Sequence, residues 1–104
     1  MIRIPLKNLP NHSFDIVLNI DGKNKTFNLF QSYNAGHYWT IQFRDRDKVP
    51  ITDNIPLLSG HNLFQGLEYL NIGVLYLLRK SEMVNEVPDV ETIDTDYVLL
   101  WGEN

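Results

Sequence analysis

An all-β fold is what this sequence predicts: a small antiparallel β-sandwich or barrel of about six to seven strands with one short helix near residues 62–68. Three observations carry it. Apolar residues alternate at a spacing of two in Phe14-x-Ile16-x-Leu18-x-Ile20 and again in Trp39-x-Ile41-x-Phe43, the period of a half-buried strand. Turn-forming clusters, Asp21-Gly22 and Tyr33-Asn34-Ala35-Gly36, separate these runs at distances typical of hairpins. A chain of 104 residues buries roughly two-thirds of its unfolded surface, enough for one core and one domain spanning 1–104.

The elements follow in order. Ser13 to Ile20 is the first clear strand, with Asp15 and Asn19 on its polar face, and Asp21-Gly22 turns it back into Lys25–Leu29 as an antiparallel hairpin. After the second turn cluster, Trp39 to Phe43 is a third strand, with Trp39 in phase with Ile41 and Phe43 and therefore core. Asp45 to Ser59 contains Pro50 and Pro56; proline offers no N–H, so an irregular connection with a short extended piece near Leu57-Leu58 is expected. The period changes at Gly60: Asn62 caps a turn, and Leu63, Phe64 and Leu67 share a helical face, with Gly66 keeping the helix short. Ile72 to Leu78 is nearly all apolar, as expected of a strand buried on both faces. An acidic loop around Pro88 occupies 81–93, and Tyr97 to Trp101 is a last strand that closes the sheet.

Composition narrows the function. Hydrophobic residues make up 43% and charged residues 21%, a globular balance that excludes a disordered chain. The absence of cysteine removes disulfides, thiolate metal sites and thiol nucleophiles together, and fits a reducing cytosol. No apolar run approaches the ~20 residues of a membrane span, and MIRIPLKNLP is too short an apolar stretch for a secretory signal; a soluble protein with no membrane partner is expected. Charge is segregated: residues 1–52 carry seven Lys/Arg and four Asp/Glu, a balance of +3, against two and nine, or −7, in 53–104. Phosphate binding needs clustered Lys/Arg, so nucleic-acid specificity is disfavoured.

No catalytic, cofactor-binding or metal-binding constellation is found. His12, His37 and His61 lack the i, i+2 or i, i+4 spacing of paired ligands. Asp45, Asp47 and Asp53 resemble a calcium loop only in part, because the glycine and terminal glutamate of an EF-hand are missing. Arg44 to Lys48 alternates in sign and reads as a solvated strand end with local ion pairs. Ser13, Ser32, Ser59 and Ser81 lie outside any Gly-x-Ser-x-Gly elbow, and no phosphate-cradling glycine loop exists. An enzyme is not expected. Trp101, beside the chain end, fits either the core or an interface.

The ordered set of strand and turn motifs carries a resemblance. Ile4-Pro5-Leu6, Phe14-x-Ile16-x-Leu18, Tyr33-Asn34 before Trp39-x-Ile41-x-Phe43-x-Asp45, Pro50-Ile51, Leu58-Ser59-Gly60-His61-Asn62-Leu63-Phe64, Leu70-x-Ile72-Gly73-x-Leu75 and Tyr97-x-Leu99-x-Trp101 together resemble the baseplate plug proteins of contractile-tailed bacteriophages, the cyanophage plug type. The pattern departs at Asp94, where a glycine is expected. The resemblance implies a virion structural protein of the tail baseplate, assembled in the host cytoplasm. It also implies that the protein binds hub, spike and tail-tube-end proteins and closes the tail lumen until contraction, without chemistry or cofactor.

A small β-domain gains partners through strand edges and apolar side chains offered to a neighbour. Ile2, Ile4 and Leu6 alternate at the N-terminus and, with Trp101, are the candidate partner interface. They form either a docking arm or a first strand of the chain's own sheet. Several copies around the tail axis would make a homo-oligomer. The alternative function is a stand-alone ligand- or peptide-binding β-domain of a mobile element, which requires a deep apolar pocket with convergent polar groups.

Overall fold

The fold is described from a computed structural model, which defines residues 2–9, 11–34, 38–80, 88, 93 and 95–103. Within them, seven strands form two antiparallel sheets: β1 (Ile2–Ile4), β2 (His12–Ile20), β3 (Lys23–Asn34), β4 (Tyr38–Arg44), β5 (Ile55–Pro56), β6 (Val74–Arg79) and β7 (Tyr97–Gly102). The four-stranded sheet runs β2-β3-β4-β5 and the three-stranded sheet β1-β7-β6. The sheets do not close into a barrel, and the sandwich is the form adopted.

The β2–β3 turn is the expected one. Asp21 and Gly22 both have positive φ, 54° and 79°, the backbone of a two-residue turn whose twist matches the flanking strands. From it β2 and β3 pair without a break from Ile20↔Lys23 to His12↔Gln31. The third strand is also as expected, but β3 continues through Tyr33 and Asn34, which pair with Trp39 and Tyr38. The reversal therefore begins after Asn34, with 35–37 outside the described residues. The short extended piece lies two residues early, at Ile55–Pro56, where Pro56 sits on a sheet edge and no ladder N–H is missed.

The sheets meet on their alternating inward faces. Leu29, Trp39, Ile41 and Phe43 from one sheet and Leu75, Leu77 and Leu99 from the other are fully buried. Tyr33 packs edge-on to Trp39 at 5.1 Å, and Phe64 packs edge-on to Phe43 at 5.0 Å. One inward polar residue is completely buried: Gln31. Its amide donates to the Lys7 carbonyl and accepts from the Lys7 N–H, pairing with Lys7 as a backbone peptide would.

Three expectations are corrected. The helix near 62–68 is absent: Gln65 N–H and Leu67 N–H donate to the Asn62 and Phe64 carbonyls at 3.1 and 2.8 Å, successive tight turns rather than i→i−4 bonds. Gly66, at φ 86°, reverses the backbone out of the right-handed region, and the only helical turn among the described residues is the 3₁₀ segment Glu68–Leu70, closed by left-handed Asn71. The strand read as the closing one, β7, is instead the centre of its sheet, between β1 and β6. The apolar run Ile72–Leu78 is not buried on both faces: Leu75 and Leu77 are buried, Val74 and Tyr76 half-buried, and Leu78 is 42% exposed. The acidic loop expected at 81–93 lies outside the described residues except for buried Pro88 and Ile93.

Candidate functional site

The two sheets turn different chemistry outward. On the four-stranded sheet most outward positions are polar, with Val17 and Phe30 apolar among them, and several of the polar ones bond one another. Asn28 donates to Asp15 at 2.8 Å, Ser32 and Thr40 share a hydrogen bond at 2.8 Å, and the Arg44 guanidinium donates to Gln42 at 2.8 Å. Arg44 also lies 4.5 Å from the centre of the Phe30 ring, close enough for cation–π attraction. Among the described residues, the ion pairs expected along 44–48 are replaced by these contacts and by Asp45, whose carboxylate accepts from Asp47 N–H and Val49 N–H at 2.8 and 2.9 Å. That geometry makes Asp45 the organiser of a tight loop.

On the three-stranded sheet the register Tyr76↔Leu100↔Arg3 and Leu78↔Val98 puts Val74, Tyr76, Leu78, Val98 and Leu100 on one outward face with Arg3 at its border. Four of these are half-buried and Leu78 is exposed. Apart from the Tyr76 hydroxyl and Arg3 at the border, this face is apolar, more so than a solvated sheet usually turns to water.

The predicted interface residues are brought together but not onto one surface. β1 is an integral strand, with Ile2 opposite Trp101 and Ile4 opposite Leu99. Ile4 and Trp101 are 1% and 2% exposed, Leu6 is half-buried, and Ile2 is 46% exposed. Trp101 therefore belongs to the core in this chain. Its indole N–H donates to the Ile72 carbonyl at 2.6 Å, and Gly73, at φ 92°, passes so close that a Cβ would stand 2.3 Å from the Gly102 carbonyl oxygen. Only glycine fits there.

The remaining candidates are separated. His12 lies in β2 and stacks on Phe14 at 5.3 Å, His61 is exposed, and His37 lies outside the described residues. Among the described residues no group of three His, Asp or Glu side chains is placed to hold a metal, and no helix is long and apolar enough to cross a membrane. A cleft of about 490 Å³ opens at the end of the sandwich, with Ile20, Phe27 and Ile72 as its floor and Lys25 and Arg46 on its rim. The Asn24 and Asn71 amides beside it are engaged with Asn19 and Asp21 at 3.1 and 3.2 Å.

The family model described as the cyanophage baseplate Pam3 plug gp18 matches residues 1–104, the whole chain. This chain belongs to that family. Membership makes it a structural protein of the phage tail baseplate, associated with other baseplate components, and speaks for a non-enzymatic role. No curated protein and no solved structure matches it.

Sequence reading missed the outward apolar face. Its signal was available, since Val74, Tyr76 and Leu78 alternate with Leu75 and Leu77 in one run. A continuous apolar run states that both faces need cover, but not whether the second cover comes from the same chain.

Proposed function

We propose that this chain is a baseplate plug that binds hub and spike proteins at the tube end, as one domain, and closes the tail lumen before contraction. The observation that carries the reading is the family match over all 104 residues. The apolar outward face of β1-β7-β6 supports it and supplies the surface: Tyr76, Leu78, Val98 and Leu100 meet the neighbouring baseplate protein. Burial of such a face is worth about 25 cal/mol per Å² of apolar area, before the costs of association. Ile4, Leu6 and Trp101 act from beneath by fixing β1 against β7. Assembly takes place in the host cytoplasm, and copies grouped around the tail axis multiply weak contacts.

The test is particle assembly with a Leu78→Lys, Leu100→Lys double variant, both positions being on the outward face. A variant that melts like the wild type but is lost from purified baseplates is the expected result. Normal incorporation of the folded variant would remove this face from the reading, and particles with a closed lumen in a deletion strain would remove the plug role.

A further inference from the structure

Sheet edges carry unpaired backbone groups, and three of the four edges here are blunted. β1 is three residues long; β5 is two residues long and ends in Pro56. The edge of β6 is occupied by the strap 59–63, through bridges Ser59↔Leu77 and Asn62↔Tyr76 and hydrogen bonds from Gly60 and Leu63 N–H to the Leu77 and Leu75 carbonyls at 3.2 and 2.7 Å. The fourth edge belongs to β2. It is nine residues long, and no described residue pairs with its outer side.

The turn fixes which groups of β2 are free. A two-residue hairpin closes on a hydrogen-bonded pair, so Ile20, Leu18, Ile16 and Phe14 direct their N–H and C=O at β3. Asn19, Val17, Asp15 and Ser13 direct theirs away from it. All four of these residues are exposed, and Val17 is 57% exposed in the middle of the row. On the inward side of the same edge, Phe14 and Ile16 are only half-buried while Leu18 and Ile20 are buried. The core is thus incompletely covered along that half of β2.

We propose that the β2 edge pairs with the β2 edge of a second copy of this chain, antiparallel, about a two-fold axis through Val17. This register is the self-complementary one. It sets Val17 against Val17, and Asp15 against Asn19 of the second copy, where a dyad at Asp15 would oppose two carboxylates. Each free N–H and C=O at Asp15, Val17 and Asn19 then meets a partner. Ile16 gains Leu18 of the second copy and Phe14 gains Ile20 as apolar neighbours, completing the cover that one chain lacks. The two four-stranded sheets become one continuous sheet.

The test uses the full chain. Sedimentation equilibrium up to millimolar concentration is expected to show mass rising from 12.1 kDa to twice that value. Val17→Pro removes an N–H that β3 does not use and is expected to weaken association at least tenfold. Val17→Lys, which sets like charges across the dyad, gives the same answer should the proline variant fail to fold. The chain has no cysteine, so Val17→Cys reports the register: oxidation is expected to join the copies, their Cα atoms being about 5.5 Å apart in a hydrogen-bonded pair. Asn19→Cys, about 14 Å from its own counterpart, is not. A monomer at every concentration overturns the proposal, as does a dimer indifferent to both Val17 variants or cross-linked at Asn19 instead.

Discussion

The outward face of the four-stranded sheet is mostly polar, with side chains that bond one another, whereas that of the three-stranded sheet is mostly apolar. The first carries two cross-strand pairs, Asn28 with Asp15 and Ser32 with Thr40, and Arg44 bonded to Gln42 along β4. The second carries Val74, Tyr76, Leu78, Val98 and Leu100, of which four are half-buried and Leu78 is exposed. Both sheets bury a similar aliphatic and aromatic inward face, so the difference is not one of stability. It lies in chemistry: buried Asn28, Ser32 and Thr40 on the first sheet make hydrogen bonds within it, and the second sheet turns apolar area outward.

The largest expected effect tests the part the two sheets share. Trp39, fully buried beneath the four-stranded sheet, is expected to cost about 3–5 kcal/mol as Trp39→Ala and to melt both sheets in one transition. Circular dichroism showing the strands of one sheet surviving the other would break the picture of a common core. Gly73→Ala acts on the three-stranded sheet alone, by forcing the chain away from the Gly102 carbonyl and the Trp101 ring. Strain at positive φ together with overpacking is expected to cost roughly 2–4 kcal/mol, read by denaturant unfolding; wild-type stability would mean that β6 and β7 approach each other less closely than described.

A reciprocal swap sharpens the comparison. Thr40→Val leaves the buried Ser32 hydroxyl without its 2.8 Å partner and is expected to cost about 1–2 kcal/mol. Val98→Thr, the same change in reverse on the half-buried outward face of β7, is expected to cost less than about 1 kcal/mol in the free protein, because water solvates the added hydroxyl. In a bound complex the same hydroxyl is desolvated, so affinity for a baseplate neighbour is expected to fall. Equal costs for the two swaps in the free chain would show that the outward apolar face is covered by the chain itself.

Much of the four-stranded sheet was legible because it is local. The Asp21-Gly22 turn fixes the register of β2 and β3 from adjacent residues, and Trp39, Ile41 and Phe43 state their own inward phase by alternation. The helix near 62–68 was misread because Leu63, Phe64 and Leu67 have helical spacing in sequence. In the fold, Asn62 spends its carboxamide oxygen on Phe64 N–H and on Leu75 N–H, both at 3.0 Å. That second contact, 13 residues away, holds the segment as a strap on β6 and is invisible to local pattern.

What the sequence determined by itself is the all-β class, the hairpin, the inward phase of β4 and, through an ordered set of motifs, the family. Alternation and turn chemistry act between near neighbours, and a linear chain displays them directly. Only the tertiary structure decided that β7 lies between β1 and β6, that Trp101 and Ile4 are interior, that Ile2 remains exposed, and that one face of the apolar run is left outward. Those outcomes depend on pairing between residues up to about a hundred positions apart, such as Ile2 with Trp101. Such pairing is selected by the fit of whole faces and leaves no periodic mark on either partner.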